Sequence, residues 1–349
     1  MGQINTAIVG YGYAGRVMHA QLVKAADGLD LMTVSTRDAE RRAAAERDFG
    51  VRTCASVDEL VADDDVQLVV IATPHDTHRD IAVRCLDAGK HVVTDKLMCM
   101  NAGEADEMIA AARRNDRMLS VFHNRRWDCG YLTLKKALAD GLLGDLVVVE
   151  AAVVNWGHPK PTRWRSFRKH GGGQFRDWGA HLTDQALQLV DAPVASVWCD
   201  MLYGEPSVDV ETAALCNIVF ANGVRYRVET GSISALVRPR WYVRGTKGAL
   251  RKTGLDPQEN ALREGRVDPA CPQPEADRAA VRYETDDSMR EAKLETVPGT
   301  WTSYYQNVAD HLLKGADLAV KPEQVRRAMA VIDAAAKSAE TGTVVTCEI

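Results

Sequence analysis

The chain has 349 residues, of which 26% are charged and 46% hydrophobic, and its formal net charge at pH 7 is −5. This length accommodates two domains with filled cores, and the composition is that of an ordinary globular protein. The acidic balance and the lack of a basic cluster with interleaved aromatic residues exclude a broad nucleic-acid surface. No segment approaches about 20 consecutive apolar residues, so we expect no membrane partner.

Eight cysteines are scattered along the chain without CxxC pairs or other metal-ligand spacing. Such usage favours reduced thiols in a cytoplasmic protein and predicts no bound metal. The first residues, "MGQINTAIVGYG", lack the charged start and long apolar run of a secretory signal. We therefore predict a cytoplasmic location.

The first 125 residues alternate strand and helix signals. Helical sequence separates short apolar runs at residues 4–10, 29–35, 51–54, 66–73, 90–95 and 117–122. Fully apolar strands that alternate with helices predict a parallel sheet with helices on both faces.

After Phe122 the pattern changes to long strands and few helices. We predict helices at about 128–140 and 178–190 and strands at 146–156, 194–202, 211–221 and 224–233. The Asn222-Gly223 pair between two of these strands indicates an antiparallel hairpin. Residues 254–299 have little periodicity and several prolines, which predicts a long surface excursion. The last two helices, at about 301–314 and 322–341, are candidates for packing back on the first domain.

A glycine-rich turn, "GYGYAG", follows the first strand directly and opens the first helix. Gly10 permits a tight turn, Gly12 lets the backbone approach a pyrophosphate, and Gly15 allows close packing of helix on strand. Tyr13 and Ala14 complete the turn, and the helix N-terminus offers free N–H groups to phosphates. The turn predicts a dinucleotide site.

The end of the second strand indicates which dinucleotide binds. NAD sites usually place an acidic residue here for the ribose 2′-OH, whereas this chain has Ser35, Thr36 and Arg37, with Asp38 one position later. Hydroxyl groups followed by arginine suit a 2′-phosphate. We predict NADP(H) over NAD(H), although Asp38 would favour NAD(H) if it turned inward.

Ligands of open parallel sheets bind beyond the carboxyl ends of the strands. The fourth strand ends in "ATPHDTH", which contributes Thr73, Pro74, His75 and His78, and the fifth ends in "TDK", which contributes Asp95 and Lys96. Read by itself, Lys96 is either a solvated loop residue or an active-site residue near the nicotinamide end of the cofactor.

A second polar element follows three glycines at 171–173. Asp177, His181, Asp184 and Gln188 recur at spacings of four, three and four, which places them on one helix face. Such a row is either a solvated face or a wall of an active site. The glycine run and the scarcity of Lys, Arg and Glu along the row favour the active site.

Together, the glycine turn, the Asp-Lys strand end, "NRRWD" at 124–128 and "GGG…DxGxHxxD" at 171–184 resemble the Gfo/Idh/MocA oxidoreductases, and "VFHNRRWD" and "DWGAHLTDQALQL" are most similar to their inositol and sugar dehydrogenases. The resemblance covers nearly the whole chain. It implies an α/β fold: a Rossmann domain at 1–124 and, at 125–349, a substrate-binding domain with a large, mostly antiparallel open sheet. That sheet would form the interface between subunits of a homodimer or homotetramer.

The resemblance also implies roles for single residues and shows two departures. Lys96, Asp177 and His181 are implied as catalytic. The family usually has proline after the lysine, where this chain has Leu97, and often has asparagine after Thr-Pro, where this chain has His75. The first departure changes the loop that aims the lysine, and the second adds a titratable group beside the nicotinamide.

The chemistry we predict is hydride transfer between the nicotinamide and a secondary alcohol of a sugar or cyclitol. His181 would take the hydroxyl proton, Asp177 would orient the imidazole, and Lys96 would stabilise charge on the reacting oxygen. Residues assigned to hold the substrate's other hydroxyls, with Asn124 also a cofactor candidate, are His123, Asn124, Arg126, Asn155, Trp156, Arg165, Arg168 and Asp184. Two alternatives stay open: transient redox serving elimination, epimerisation or glycosidic cleavage, and a non-catalytic nucleotide-binding regulator.

Overall fold

The computed structural model describes residues 2–157, 159–267, 274–286 and 288–349. The chain forms two compact units. Unit 1 contains Met1–Asn124, Gln258–Pro269 and Thr300–Arg326, and unit 2 contains Arg125–Pro257, Ala270–Gly299 and Arg327–Ile349.

Strands and helices have the following bounds. The strands are β1 (Ile4–Val9), β2 (Leu29–Ser35), β3 (Arg52–Cys54), β4 (Leu68–Ile71), β5 (His91–Thr94), β6 (Leu119–Val121), β7 (Leu146–Val154), β8 (Val194–Leu202), β9 (Ala213–Phe220), β10 (Arg225–Gly231), β11 (Trp241–Gly245), β12 (Gly248–Lys252), β13 (Ala280–Glu284), β14 (Met289–Lys293) and β15 (Val345–Thr346). The α-helices are α1 (Ala20–Ala25), α2 (Ala39–Phe49), α3 (Val57–Val61), α4 (His78–Asp87), α5 (Ala102–Arg114), α6 (Cys129–Ala139), α7 (Ala180–Leu189), α8 (Gln258–Arg263), α9 (Thr302–Lys314) and α10 (Pro322–Thr341). π-Helical turns lead into α1 (Ala14–His19) and α7 (Phe175–Gly179), and short 3₁₀ turns lie at His75–Thr77, Asn124–Trp127, Trp164–Ser166, Arg168–His170 and Glu275–Asp277.

The sheet of unit 1 has six parallel strands in the order β3-β2-β1-β4-β5-β6. All four residues of β4 are buried, as expected for a central strand covered on both faces. The chain reverses direction across the sheet between β1 and β4, and open α/β sheets bind ligands at such a switch point. The predicted parallel sheet is confirmed, and its strand order is that of a Rossmann fold.

Unit 2 is built on a nine-stranded sheet in the order β14-β13-β12-β11-β7-β10-β9-β8-β15. Its neighbouring strands pair antiparallel except β7 and β10, which run parallel. Gly223 has a φ of +87° in the turn between β9 and β10, which confirms the Asn-Gly hairpin. The predicted fold class, a Rossmann sheet followed by a large, mostly antiparallel sheet, is therefore confirmed.

Residues 254–299 differ from the sequence prediction of one long surface excursion. That prediction is wrong, because this segment contributes α8 and then β13 and β14, while residues 268–273 and 287 lie outside the described part of the chain. Strand β14 is almost wholly exposed at the edge of the sheet, so it lacks the alternation of buried and exposed residues that identifies a strand from sequence.

Two further findings concern the chain as a whole. The seven described cysteines are free thiols, and Cys271 lies outside the described residues. No helix within the described ranges is long and apolar enough to cross a bilayer.

Candidate functional site

The glycine turn of unit 1 has the geometry of a pyrophosphate cradle. Gly10 has a φ of +96°, and a Cβ atom there would lie 2.5 Å from the Ala72 carbonyl oxygen. A Cβ atom at Gly15 would collide with the Gly10 carbonyl, so helix and strand approach each other closely. Beside Gly12, in contrast, the nearest atom to such a Cβ is Nη1 of Arg41, at 3.8 Å. Space for phosphate oxygens is thus left at the one glycine where the fingerprint requires it.

The other two turn residues, Tyr13 and Ala14, lie at the start of the π-helical turn. The Tyr13 hydroxyl donates to Glu259 Oε1 (3.0 Å) and accepts from Arg263 Nε (2.7 Å). Both partners belong to α8, so a segment almost 250 residues away in sequence holds the rim of the glycine turn. Nothing in the local sequence around Tyr13 indicates this contact.

The three residues proposed to bind the 2′-phosphate at the end of β2 differ in how accessible they are. Ser35 is buried and its hydroxyl donates to the Ser56 carbonyl oxygen (3.0 Å), so the structure gives this side chain a structural role instead of a cofactor contact. Thr36 is half-buried and Arg37 is exposed. These two therefore remain as the side chains of β2's end that can receive a ligand.

Asp38 caps helix α2. Its Oδ1 accepts the backbone N–H groups of Glu40 (3.0 Å) and Arg41 (3.2 Å), and its Oδ2 lies 3.2 Å from Arg41 Nε. The cap thus occupies Oδ1 of the carboxylate, while the Asp38 side chain stays 45% exposed. The same ion pair holds Arg41 beside Gly12. Arg41 is therefore a second candidate, after Arg37, for binding a phosphate, and sequence reasoning missed it.

Three more strand ends meet the edge of the sheet next to β1. Thr73 follows β4, Asp95 follows β5, and His123 and Asn124 follow β6, in the spatial order β1-β4-β5-β6. His123 and Asn124 are each 3% exposed. The sequence-predicted residues of unit 1 thus lie along one carboxyl edge.

The loop after β4 is closed by its own hydrogen bonds. The Thr77 hydroxyl lies 2.7 Å from the Thr73 hydroxyl and donates to the Pro74 carbonyl oxygen. His78 is fully buried, with Nε2 3.0 Å from the Thr73 carbonyl oxygen and Nδ1 2.8 Å from the Leu97 carbonyl oxygen. Its side chain therefore joins two loops rather than facing a cofactor, which corrects the role predicted for it.

Lys96 directly follows Asp95 at the end of β5. Asp95 Oδ1 accepts the Lys96 backbone N–H (2.7 Å), and His75 Nε2 lies 3.0 Å from the Lys96 carbonyl oxygen. Lys96 is half-buried, and its peptide bond to Leu97 is cis. The backbone of this lysine is bonded on both sides, unlike that of an ordinary solvated loop residue.

The polar row of unit 2 lies in a buried helix. All residues from Ala180 to Leu187 in α7 are buried, so interpreting the row as a solvated face is wrong. His181 is 5% exposed and its ring lies 6.1 Å from the Trp178 ring. Asp177, one turn earlier, is half-buried, with Arg165 Nε 3.7 Å from its Oδ1.

Arg126 and Asp184, both predicted to hold substrate, bind each other. Arg126 Nε and Nη2 donate to the two carboxylate oxygens of Asp184 at 2.8 and 2.6 Å, and the side chains are 9% and 2% exposed. This bidentate pair satisfies the forked geometry of both groups. The structure therefore pairs the two side chains with each other across 58 residues of sequence, and the substrate contacts predicted for them stay predictions.

The remaining substrate candidates of unit 2 are more accessible. Trp156 is 64% exposed, Asn155 is also exposed, and Arg168 is exposed with its guanidinium 3.1 Å from the Tyr203 hydroxyl. Arg165 stacks on Trp164, 4.3 Å from the ring centre. These four residues stay candidates for contacts with hydroxyl groups.

Glu211 is a functional candidate that the sequence did not indicate. Its buried carboxylate accepts the Phe175 N–H (2.7 Å), and a Cβ atom at Gly173 would lie 2.5 Å from it. Burial raises the pKa of Glu211, while the hydrogen bond from Phe175 opposes that rise. Glu211 supports the glycine loop and the start of the helix that carries Asp177 and His181.

Comparison with known proteins identifies the family. Residues 4–123 match the model for the oxidoreductase family with an NAD-binding Rossmann fold, and residues 131–251 match the GFO/IDH/MocA C-terminal domain. The chain belongs to the Gfo/Idh/MocA oxidoreductase family. It is thus an NAD(P)-binding oxidoreductase, and the predicted resemblance is confirmed.

Relatives match along almost the whole chain. The oxidoreductase YdgJ of Escherichia coli is 34% identical over 97% of this chain and 96% of its own length. The scyllo-inositol 2-dehydrogenase (NADP(+)) IolW of Bacillus subtilis is 31% identical over 97% of this chain and 94% of its own. Among solved structures, the oxidoreductase yvaA of Bacillus subtilis has a TM-score of 0.94 at 27% identity, covering 99% of both chains.

Proposed function

We propose that this protein transfers hydride between NADP(H) and a secondary alcohol or ketone of a sugar or cyclitol. The observation that carries the cofactor choice is the cap on α2: Asp38 is bonded to the N–H groups of Glu40 and Arg41, whereas Arg37 is exposed at the end of β2. The similarity to IolW, named for scyllo-inositol and NADP(+), supports both parts of the proposal.

The residues of unit 1 fit the cofactor in the following way. The backbone of Gly10, Gly12 and Ala14 would hold the pyrophosphate, and Thr36, Arg37 and Arg41 would hold the 2′-phosphate. When bound, the nicotinamide accepts or donates the hydride at C4. Thr73, Pro74, His123 and Asn124 lie after β4 and β6 and would contact the nicotinamide half.

Three residues receive catalytic roles. His181 takes the proton of the substrate hydroxyl during oxidation and returns it during reduction, since an imidazole titrates near neutral pH. Asp177, one helical turn away, stabilises the imidazolium. The ammonium group of Lys96 stabilises negative charge on the same oxygen, and such charge stabilisation is usually a large catalytic contribution.

A substrate panel tests the proposal. The purified protein is incubated with NADP⁺ or NAD⁺ and a range of cyclitols and sugars, and the absorbance of reduced nicotinamide is followed. We expect activity with NADP⁺ on at least one polyol, and a loss of at least about 100-fold in Lys96→Ala, in line with the removal of one charge-stabilising group. Wild-type rates in Lys96→Ala would refute its role. Product formed without net reduced nicotinamide would indicate elimination or epimerisation instead.

We also propose that a second copy of the chain binds the charged face of the unit 2 sheet. Glu150 lies between arginines on this face, 3.9 Å from Arg227, 3.6 Å from Arg238 and 3.3 Å from Arg244. A face that carries both positive and negative groups can meet a second copy of itself with opposite charges opposed, and the neighbouring Tyr242 is 38% exposed. Light scattering should give a dimer or tetramer that dissociates in Arg227→Glu/Arg244→Glu. A monomeric wild-type protein would contradict this assignment.

A further inference from the structure

Three buried histidines surround the run Asp95–Leu97, which follows β5. They come from three separate segments: His19 ends the π-helical turn before α1, His75 opens the 3₁₀ turn after β4, and His78 begins α4. Their exposed fractions are 0%, 2% and 0%. The sequence prediction placed His75 and His78 against the cofactor and gave His19 no role.

Each residue of the run is matched with one histidine. His75 Nε2 lies 3.0 Å from the Lys96 carbonyl oxygen, and His78 Nδ1 lies 2.8 Å from the Leu97 carbonyl oxygen. A carbonyl oxygen only accepts, so His75 Nε2 must carry the hydrogen and donates to the Lys96 carbonyl oxygen. His78 faces a carbonyl oxygen with each ring nitrogen, Leu97 with Nδ1 and Thr73 with Nε2, and burial lowers its pKa. Its neutral ring therefore donates to one of the two carbonyl oxygens at a time and lies between their loops.

His19 lies beside the carboxylate at the start of the run. Its Nδ1 is hydrogen-bonded to the Tyr305 hydroxyl (2.6 Å), and its Nε2 lies 3.8 Å from Asp95 Oδ1, beyond hydrogen-bond distance. The same Asp95 oxygen accepts the Lys96 N–H (2.7 Å), so the N-terminal side of the lysine is held by Asp95 itself.

We propose that His75 is a positioning residue for Lys96, acting with His78 and the Asp95 carboxylate as a clamp on the backbone of Asp95–Leu97. Two departures from the family pattern meet here: Leu97 lacks the ring that would restrict its φ as proline does, and His75 supplies a hydrogen bond one residue before it. Replacing a residue that orients a functional group without contacting the substrate typically lowers activity about 10- to 100-fold. The clamp fixes the position of the Lys96 backbone, and therefore the point from which its side chain extends. The inference rests on the proposed catalytic role of Lys96.

The test compares His75→Asn with His75→Gln. The Gln amide nitrogen can reach the place of Nε2 and donate to Lys96, whereas the shorter Asn side chain cannot. In His75→Asn we expect kcat to fall about 10- to 100-fold, with the Kd for NADPH, measured by its fluorescence, unchanged within about 2-fold. His75→Gln should recover most of the rate. His311→Gln is the matched control, since His311 Nδ1 also bonds a backbone carbonyl of unit 1, that of Ala316 (2.7 Å).

Hydrogen exchange of the cofactor-free protein separates this inference from the proposed function. We expect the amides of residues 95–98 to exchange at least about 10-fold faster in His75→Asn than in wild type, His75→Gln or His311→Gln. This result would support the clamp even if no sugar proves to be a substrate. Unchanged exchange overturns it. A weakened Kd for NADPH with an unchanged kcat also overturns it, because His75 would then contact the cofactor.

Discussion

Replacing Asp184 with asparagine tests whether the Arg126–Asp184 pair holds unit 2 together or binds substrate. The carboxylate is 2% exposed and accepts two hydrogen bonds, at 2.6 and 2.8 Å, from a guanidinium that is itself 9% exposed. Removing one partner of a buried pair leaves the other charge uncompensated, which costs about 3–5 kcal/mol. Unfolding entropy is roughly 2 cal/mol/K per residue, so the loss corresponds to a Tm about 5–10 °C lower, the larger value applying if unit 2 unfolds alone.

Scanning calorimetry measures this shift, and the KM for the best polyol is measured in parallel. Asp191→Asn is the matched control, since Asp191 is exposed just after the same helix. The double variant Arg126→Met/Asp184→Leu should recover most of the stability, because a buried pair can often be replaced by apolar side chains. A Tm within about 1 °C of wild type in Asp184→Asn, combined with a KM at least 10-fold higher, would refute the structural role and restore the substrate role.

Three further outcomes follow from unit 1. Arg37→Ala should raise the KM for NADP⁺ about 10- to 100-fold and leave NAD⁺ kinetics unchanged, since one charge-assisted hydrogen bond to the 2′-phosphate is lost. Arg47→Ala, at another exposed arginine, is the control. Equal losses for both cofactors in Arg37→Ala, or the same effect in the control, would contradict the assignment. Gly12→Ala should keep the wild-type Tm but weaken NADPH binding, because its Cβ would meet only Arg41 Nη1, at an unstrained 3.8 Å, and would fill the space for the phosphates. Gly15→Ala should lower both the Tm and the affinity through the clash with the Gly10 carbonyl. Equal Tm values in the two variants would count against this packing. His91 accepts the Met118 N–H at Nδ1 (2.9 Å), and burial, aided by the charge of Arg117, lowers its pKa to about 4. The unfolded chain thus binds more protons than the folded one between about pH 6.5 and 4. The free energy of unfolding therefore falls as the pH falls through that window, by about 1–2 kcal/mol for this partly exposed ring. His91→Asn keeps a hydrogen-bond acceptor and should flatten this part of the curve of unfolding free energy against pH; an unchanged slope would refute the assignment.

Local sequence was sufficient for the elements of the Rossmann sheet and for the glycine turn. Apolar runs such as Leu68–Ile71 form strands because they are buried on both faces, and this property is visible in the run itself. The requirement for glycine at positions 10 and 15 is likewise set by backbone geometry within one turn. The helix cap at Asp38 is likewise a contact within three residues.

Only the tertiary structure decided which polar residues bind each other. Arg126 and Asp184, or Tyr13 and Glu259, are indistinguishable in sequence from free substrate contacts, because their partners lie 58 and 246 residues away. The same holds for His75, whose hydrogen bond to the Lys96 carbonyl depends on β4 and β5 being neighbours in the sheet. Strand pairing brings distant side chains to one edge, so the chemistry available at that edge was predictable from residue types, whereas the division between structural and functional residues required the pairing itself.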